Sequence, residues 1–186
     1  MSSAAVKTGP NTSTWNIDPV HSNAQFKVKH MMISNIKGEF SSLSGTLELH
    51  DSDLALSKIT ASIDANSINT RETQRDAHLK SPDFLDVEKF PKLTFVSTQV
   101  TRKGPEEFSV TGDLTIHGVT RPVAFDFEKL SAPVKDPWGN TRIGLSGTTK
   151  INRKEFDLVW NTALETGGFL VGDDVSITLD VEFVKA

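Results

Sequence analysis

Residues 108–130 read FSVTGDLTIHGVTRPVAFDFEKL, and this stretch decides the fold. Apolar or small residues fall at every second position through Phe108, Val110, Gly112, Leu114 and Ile116, and the alternation resumes at Val123, Phe125 and Phe127. A period of two marks a strand wet on one face and buried on the other, so two antiparallel strands are predicted, joined at His117-Gly118. Arg121-Pro122 is expected to open the second strand, where a missing backbone donor is best tolerated. No member of the hairpin has the character of a catalytic group, and His117 is placed outside, at its tip.

Working outward, the same pattern recurs. Ala24, Phe26, Val28 and His30 share one face of a strand whose other face carries Gln25, Lys27 and Lys29. Residues 36–49 alternate with a slip at Ser41-Ser42, which predicts a β-bulge and a bent strand. In 57–66 the small residues Ala61 and Ala65 sit among Ile59 and Ile63, and 92–103 has an unsettled phase, with Leu93 and Phe95 on one face and Val96 and Val100 on the other. Strands are expected at 22–30, 36–49, 57–66, 92–103, 107–117, 121–130, 141–151 and 174–184. Their short connections imply antiparallel neighbours. Eight is the number at which an up-and-down sheet closes on itself around a packed interior or one small ligand. A two-sheet sandwich is the alternative. The all-β, eight-stranded antiparallel barrel is preferred because it leaves no edge strand, because of the bend at Ser41-Ser42, and because Ala61, Ala65, Gly112 and Gly147 thin the inside.

The segments between strands are informative too. Trp15 and Ile17 belong to a short extended piece that Asp18-Pro19 breaks. Asn69-Thr70-Arg71-Glu72 resembles a capping box with Asn69 as N-cap, predicting a helix over 70–80 that Ser81-Pro82 stops. Its apolar stripe is only Ala77 and Leu79, so it must lean on its neighbours and could serve as a lid, with Arg75 and His78 on a polar face. Phe84, Leu85, Val87 and Phe90 are apolar enough to plug one end of a core. A helical turn is expected near 152–157 and a loop holding Phe169 before the last strand. Residues 1–13 read as a disordered arm and 14–186 as a single domain.

The composition narrows function. The 186 residues carry 20 Lys plus Arg against 24 Asp plus Glu, a net charge of -4, which gives no broad basic field for nucleic acid or anionic lipid surfaces. With no cysteine, disulfides, thiol catalysis and thiolate metal sites are excluded. Eleven Phe, three Trp and no Tyr promise a greasy interior, the tryptophans serving as packing or end plugs. No stretch approaches the roughly 18 apolar residues of a membrane helix, and the opening lacks the apolar core of a leader. The expectation is a soluble, cytoplasmic protein, or a periplasmic one whose leader is absent from this chain.

The five histidines sit on separate elements without metal-ligand spacing, and no phosphate-binding or nucleophile-elbow motif occurs. No metal and no cofactor are therefore expected. His30, on the apolar face beside Phe26 and Val28, is read first as a core histidine satisfied by a carbonyl and second as a ligand contact.

Several separated motifs resemble the YceI-like, lipid or polyisoprenoid-binding family, from Trp15 to the C-terminus. They are D-P-x-H-S-x-x-x-F-x-V-x-H at 18–30, G-x-F at 38–40, R-D-x-H-L-x-S-x-D-F at 75–84, F-P at 90–91, G-x-L-T-x-x-G-V-T-R-P-V at 112–123 and R-x-x-F at 153–156. The family's R-x-D-F-G stands here as Arg153-Lys154-Glu155-Phe156-Asp157, a departure confined to the local turn. The resemblance implies a lipocalin-like barrel whose apolar tunnel encloses a long isoprenoid or related lipid, often in a dimer. On that reading the expected wall is Phe26, Val28, Phe40, Ile63, Phe108, Val110, Leu114, Phe125, Phe127 and Leu145, with His30 the polar contact for a head group. The leading function is non-catalytic carriage or sequestration of such a lipid, for example an isoprenoid quinone precursor. The alternatives are an enzyme acting on it through His30 and a packed interaction module without a ligand.

Overall fold

The computed structural model describes residues 11–186. Twelve strands build one sheet: β1 Thr12–Ile17, β2 Asn23–His30, β3 Ser34–Phe40, β4 Leu43–His50, β5 Lys58–Asp64, β6 Ile68–Asn69, β7 Lys92–Arg102, β8 Phe108–Ile116, β9 Val119–Phe127, β10 Val134–Lys135, β11 Thr141–Asn152 and β12 Val171–Lys185. Pairing of β11 with both β9 and β12 closes the sheet on itself. Only eight staves surround the barrel, because four of them are made of two strands end to end, β9 and β10 lying successively along β11. β1 and β2 both pair with β12, β4 and β3 lie successively beside them, and β5 and β6 beside those. The closed eight-stave antiparallel barrel expected from the pattern is therefore present.

The breaks within the staves differ from expectation. The piece ended by Asp18-Pro19 is half of the first stave rather than a prelude to it. Five residues, 18–22, stand opposite two on β12, since Ile17 pairs with Phe183 and Asn23 with Asp180. The Ser41-Ser42 slip is a two-residue break between β3 and β4, and the bend expected there moves the chain from β2 to β1 as its neighbour. The unsettled phase of β7 has a cause: an extra residue at Thr98, between the pairs Ser97 with Gly112 and Gln99 with Thr111. One extra residue reverses the alternation. Leu93, Phe95 and Val100 thus turn inward together while Val96 stays exposed.

The hairpin of β8 and β9 turns at His117-Gly118, both with positive φ, as a two-residue hairpin demands. β9 begins at Val119, two residues before the expected start, so Pro122 lies within the strand. It is tolerated because the other edge of β9 pairs with β11 only at Asp126 and Phe127. His117 is not free at the tip: its ring packs 4.8 Å from Phe90, and its Nδ1 is buried without a partner among the described residues. Of the tryptophans, Trp15 is buried, whereas Trp138 is exposed in the turn before β11.

The helix α1 covers Thr73–Lys80 rather than 70–80, and Glu72 is its N-cap, accepting from the Gln74 and Arg75 backbone N–H groups. Asn69 instead accepts from Arg71 N–H at 2.8 Å, and the positive φ of Arg71 prevents an earlier start. The helical turn expected near 152–157 is a 3-10 turn over Arg153–Phe156. The arm expected over 1–13 lies outside the described residues as far as residue 10, and Thr12 and Ser13 already belong to β1, opposite His50 and Leu49.

Candidate functional site

Two apolar clusters fill the barrel. One gathers around Trp15, Leu47, Ile143 and Phe183, the other around Phe40, Leu85, Leu93 and Phe156. Between them runs a cavity of about 230 Å³. Period-two alternation supplies its wall, since each strand turns every second side chain inward. Of the residues expected to line a tunnel, Phe26, Val28, Phe40, Ile63, Leu114, Phe125, Phe127 and Leu145 do so. Phe108 and Val110 are buried in the first cluster but are not among the lining residues. His30 does not line the cavity either: it is half-buried at the end of β2, opposite Ser34 and Val171.

The inner small residues act differently from what was expected. A Cβ built on Gly147 would lie 2.3 Å from the Phe127 ring, one on Gly112 2.5 Å from Phe95, and one on Gly38 2.3 Å from Phe26. These glycines are slots for phenyl rings and leave no empty volume. Aromatic covering of a strand glycine recovers the packing that the missing side chain would have made. The rings then meet along the wall formed by β7, β8 and β9, Phe95 edge-on to Phe125 at 5.3 Å and Phe108 stacked on Phe127 at 5.6 Å. Ala61 does line the cavity, whereas Ala65 is buried beside it in the second cluster.

Among the described residues the one charged side chain lining the cavity is Arg153, 3% exposed. Sequence reasoning passed over it as a site residue, although the R-x-x-F motif marked it. Its Nε donates to Gly172 O at 2.8 Å, its Nη1 to Leu158 O and Trp160 O at 2.6 and 2.9 Å, and its Nη2 to Val171 O at 3.3 Å. Nη2 also stands 3.7 Å from Asp173. Burial lowers the Arg153 pKa and Asp173 opposes this, but a guanidinium stays protonated. With one N–H of Nη2 only loosely engaged, Arg153 can offer a donor to a polar group at this end of the cavity.

The Arg153 end is roofed by α1 and the segment after it. Leu79, Phe84 and Leu85 reach the cavity, and Leu158 and Val171 line it as well. The roof is clasped by three rings, His78 lying 5.1 Å from Phe84 and 4.7 Å from Trp160, both edge-on. His78 Nε2 is also 2.8 Å from Asp83 Oδ2. Arg75 faces back toward its own turn, donating from Nε to Thr70 Oγ1 and from Nη2 to Thr70 O, each at 2.8 Å.

At the other end, outside the barrel, Arg142 donates to Asp18 at 2.6 Å and Glu182 at 2.7 Å through Nη1, and to Asp136 at 2.8 Å through Nε. His21 Nδ1 lies 2.9 Å from Asp18. The long-range convergence that a metal site would need does occur for Asp18, His21 and Glu182. The guanidinium already supplies the positive charge there, so a cation would have to displace it.

A family model described as YceI-like domain matches residues 15–183. A UPF0312 protein of Staphylococcus aureus is 38% identical over 172 residues, covering 92% of this chain and 97% of that one. BcnA of Burkholderia cenocepacia is similar in structure, with a TM-score of 0.77 at 22% identity over 89% of this chain and 98% of its own. A polyisoprenoid binding domain from Saccharophagus degradans has a TM-score of 0.65 at 16% identity, over 92% and 98% of the two chains. Among the described residues no helix is long and apolar enough to cross a membrane.

Proposed function

The chain belongs to the family of YceI-like domains, and from that premise we propose that it binds a long-chain isoprenoid or related apolar lipid in the barrel and carries or sequesters it without chemistry. The observation that carries this reading is the cavity itself, walled by apolar side chains and furnished at one end with a single charged residue, Arg153. The Saccharophagus degradans neighbour, described as polyisoprenoid binding, supports the lipid class.

The energetics favour a long chain. Each buried methylene contributes about 0.8 kcal/mol, so ten give about 8 kcal/mol. Association costs of roughly 4 kcal/mol or more then leave a weak complex. A tail that threads further between the two clusters is needed for stable retention. Phe26, Val28, Phe40, Ile63, Leu114, Phe125, Phe127 and Leu145 would contact this tail, with Phe108 and Val110 backing the wall. Arg153 would meet the polar end of the lipid in place of His30, which does not line the cavity.

Organic extraction of the denatured, purified protein followed by mass spectrometry tests this. A lipid in stoichiometric amount is expected, and added prenyl lipid should be taken up by stripped protein. A clean apo mass under native conditions, together with no uptake, refutes the reading. Product formed from a bound lipid and lost in Arg153→Met with binding retained would mark an enzyme instead.

A further inference from the structure

The turn between β2 and β3 is built against ordinary preference. Met31, Met32 and Ile33 form its tip, 41%, 64% and 81% exposed. Met31 and Met32 both have positive φ, a region that favours glycine and asparagine. Three consecutive exposed apolar residues call for a partner outside the fold. The tip is not isolated: Met31 N–H donates to Leu170 O at 2.8 Å, Met32 Sδ packs over Gly168, and Phe169 beside them is 56% exposed. His30, adjoining the tip, pairs with Val171, a lining residue whose carbonyl accepts from Arg153. The apolar tip therefore stands at the Arg153 end of the cavity.

The charge pattern around it is equally particular. The chain as a whole has a net charge of -4, yet residues 19–38 contain Lys27, Lys29 and Lys37 and no Asp or Glu. Lys27 lies directly opposite Lys37, and all three lysines are exposed. Like charges directly opposed across a hairpin are destabilising. Of the acidic groups on the packed neighbour β12, Asp173 is engaged by Lys154 at 3.2 Å, and Asp174 lies opposite Asn152. Glu165 is in the loop that carries Phe169. An apolar point with lysines behind it has the make-up of a segment that enters an anionic bilayer, its tip among acyl chains and its ammonium groups among phosphates.

We propose that the turn of residues 31–33, with Phe169 beside it, is a bilayer-docking tip that seats the Arg153 end of the barrel on an anionic lipid surface. Loading the cavity from that surface rests on the lipid-carrier reading, whereas the docking does not. The local lysine cluster does what the net charge of the chain would not suggest.

Vesicle flotation tests the proposal, using phosphatidylcholine vesicles with and without phosphatidylglycerol. Wild type is expected to float with the anionic vesicles at low salt and to be released at high salt. Each lysine neutralised in Lys27→Gln and Lys37→Gln should lower partitioning about fivefold. Ile33→Asp should sharply reduce flotation while leaving the melting curve unchanged, since that side chain is 81% exposed. Wild type that stays behind the vesicles, or an aspartate variant that floats like wild type, overturns the proposal. So does a dimer that ignores vesicles and becomes monomeric in the aspartate variant by light scattering, which would make this face a self-association surface. Prenyl lipid uptake from detergent solution is measured in parallel to separate the two readings. Flotation without uptake keeps the docking and sinks the carrier, whereas uptake without flotation does the reverse.

Discussion

Gly147→Ala adds one methyl group where the structure has none to spare. The new Cβ would stand 2.3 Å from Phe127 Cδ1 and 2.4 Å from Cε1. Carbon atoms at rest sit about 3.5–4.0 Å apart, so the ring must retreat by roughly 1 Å or more. It cannot do so freely, because Phe108 and Phe125 stack against it at 5.6 and 6.2 Å. The direction left is into the cavity that Phe127 lines. Overpacking of this kind costs about 1–3 kcal/mol, and for a chain of this length each kcal/mol lowers Tm by about 2–4 °C. A drop of roughly 2–12 °C is therefore expected by calorimetry, with reduced lipid uptake. Gly144→Ala on the same strand is the control, since its nearest neighbour would be 3.9 Å away and the added methyl only reduces unfolded-state freedom. Phe127→Leu in the Gly147→Ala background should recover part of the loss. If Gly147→Ala and Gly144→Ala melt alike, the ring-slot account of these glycines is wrong.

Other expectations follow from the polar contacts. Hydrogen bonds from Arg142 hold the Asp18 and Asp136 carboxyls well below their ordinary value of 3.8, His21 adding to the effect at Asp18. Depressed folded-state values stabilise the protein above about pH 4 and lose that contribution as pH falls further, so Arg142→Gln should flatten the acid limb of a urea-midpoint against pH plot. Arg153→Met strands the carbonyls of Leu158, Trp160, Val171 and Gly172, and should lower stability by about 3 kcal/mol or more in urea titration. Asp157 holds a left-handed φ of 60°, so Asp157→Gly should be neutral or stabilise by up to about 1 kcal/mol in the same assay. Trp160→Ala removes one ring of the roof clasp, and hydrogen exchange in α1 should quicken while that in β8 stays unchanged.

Alternation made the staves legible because each strand is wet outside and dry within, and that contrast is written residue by residue. It also placed eight of the wall residues on the cavity. What was not legible depends on neighbours far away in the chain. Gly112 and Gly147 look like gaps until Phe95 and Phe127 are seen to occupy them. Val96 and Val100 conflict until Thr98 is found to be an extra residue against β8. Asn69 offered a good capping pattern, but Arg71 adopts a positive φ and Glu72 takes the cap, a choice fixed when Asp76 binds the Thr70 N–H at 2.8 Å. Strand phase alone favours His30. Phase tells which face a side chain takes and is silent on how far along the barrel the cavity reaches.

Phe26, Val28, Phe40 and Leu114 are motif positions that line the cavity, but the polar residues of the motifs and the binding wall are largely different sets, and the polar set carries the family while the wall leaves the ligand open. Asp18 and His21 shape the kink between β1 and β2, where Ser22 exchanges hydrogen bonds with Glu182. Arg75, Asp76 and Ser81 tie down the ends of α1, and Arg153 fastens the roof. Each is needed because a barrel with broken staves must satisfy backbone groups wherever pairing lapses, and only particular polar side chains do that. The wall requires merely apolar volume, which many residues supply interchangeably. Arg153 belongs to both sets, holding the roof with most of its donors while lining the cavity. Substitutions there should therefore change stability and head-group preference together, whereas conservative exchanges such as Leu114→Met should shift lipid preference with little effect on Tm.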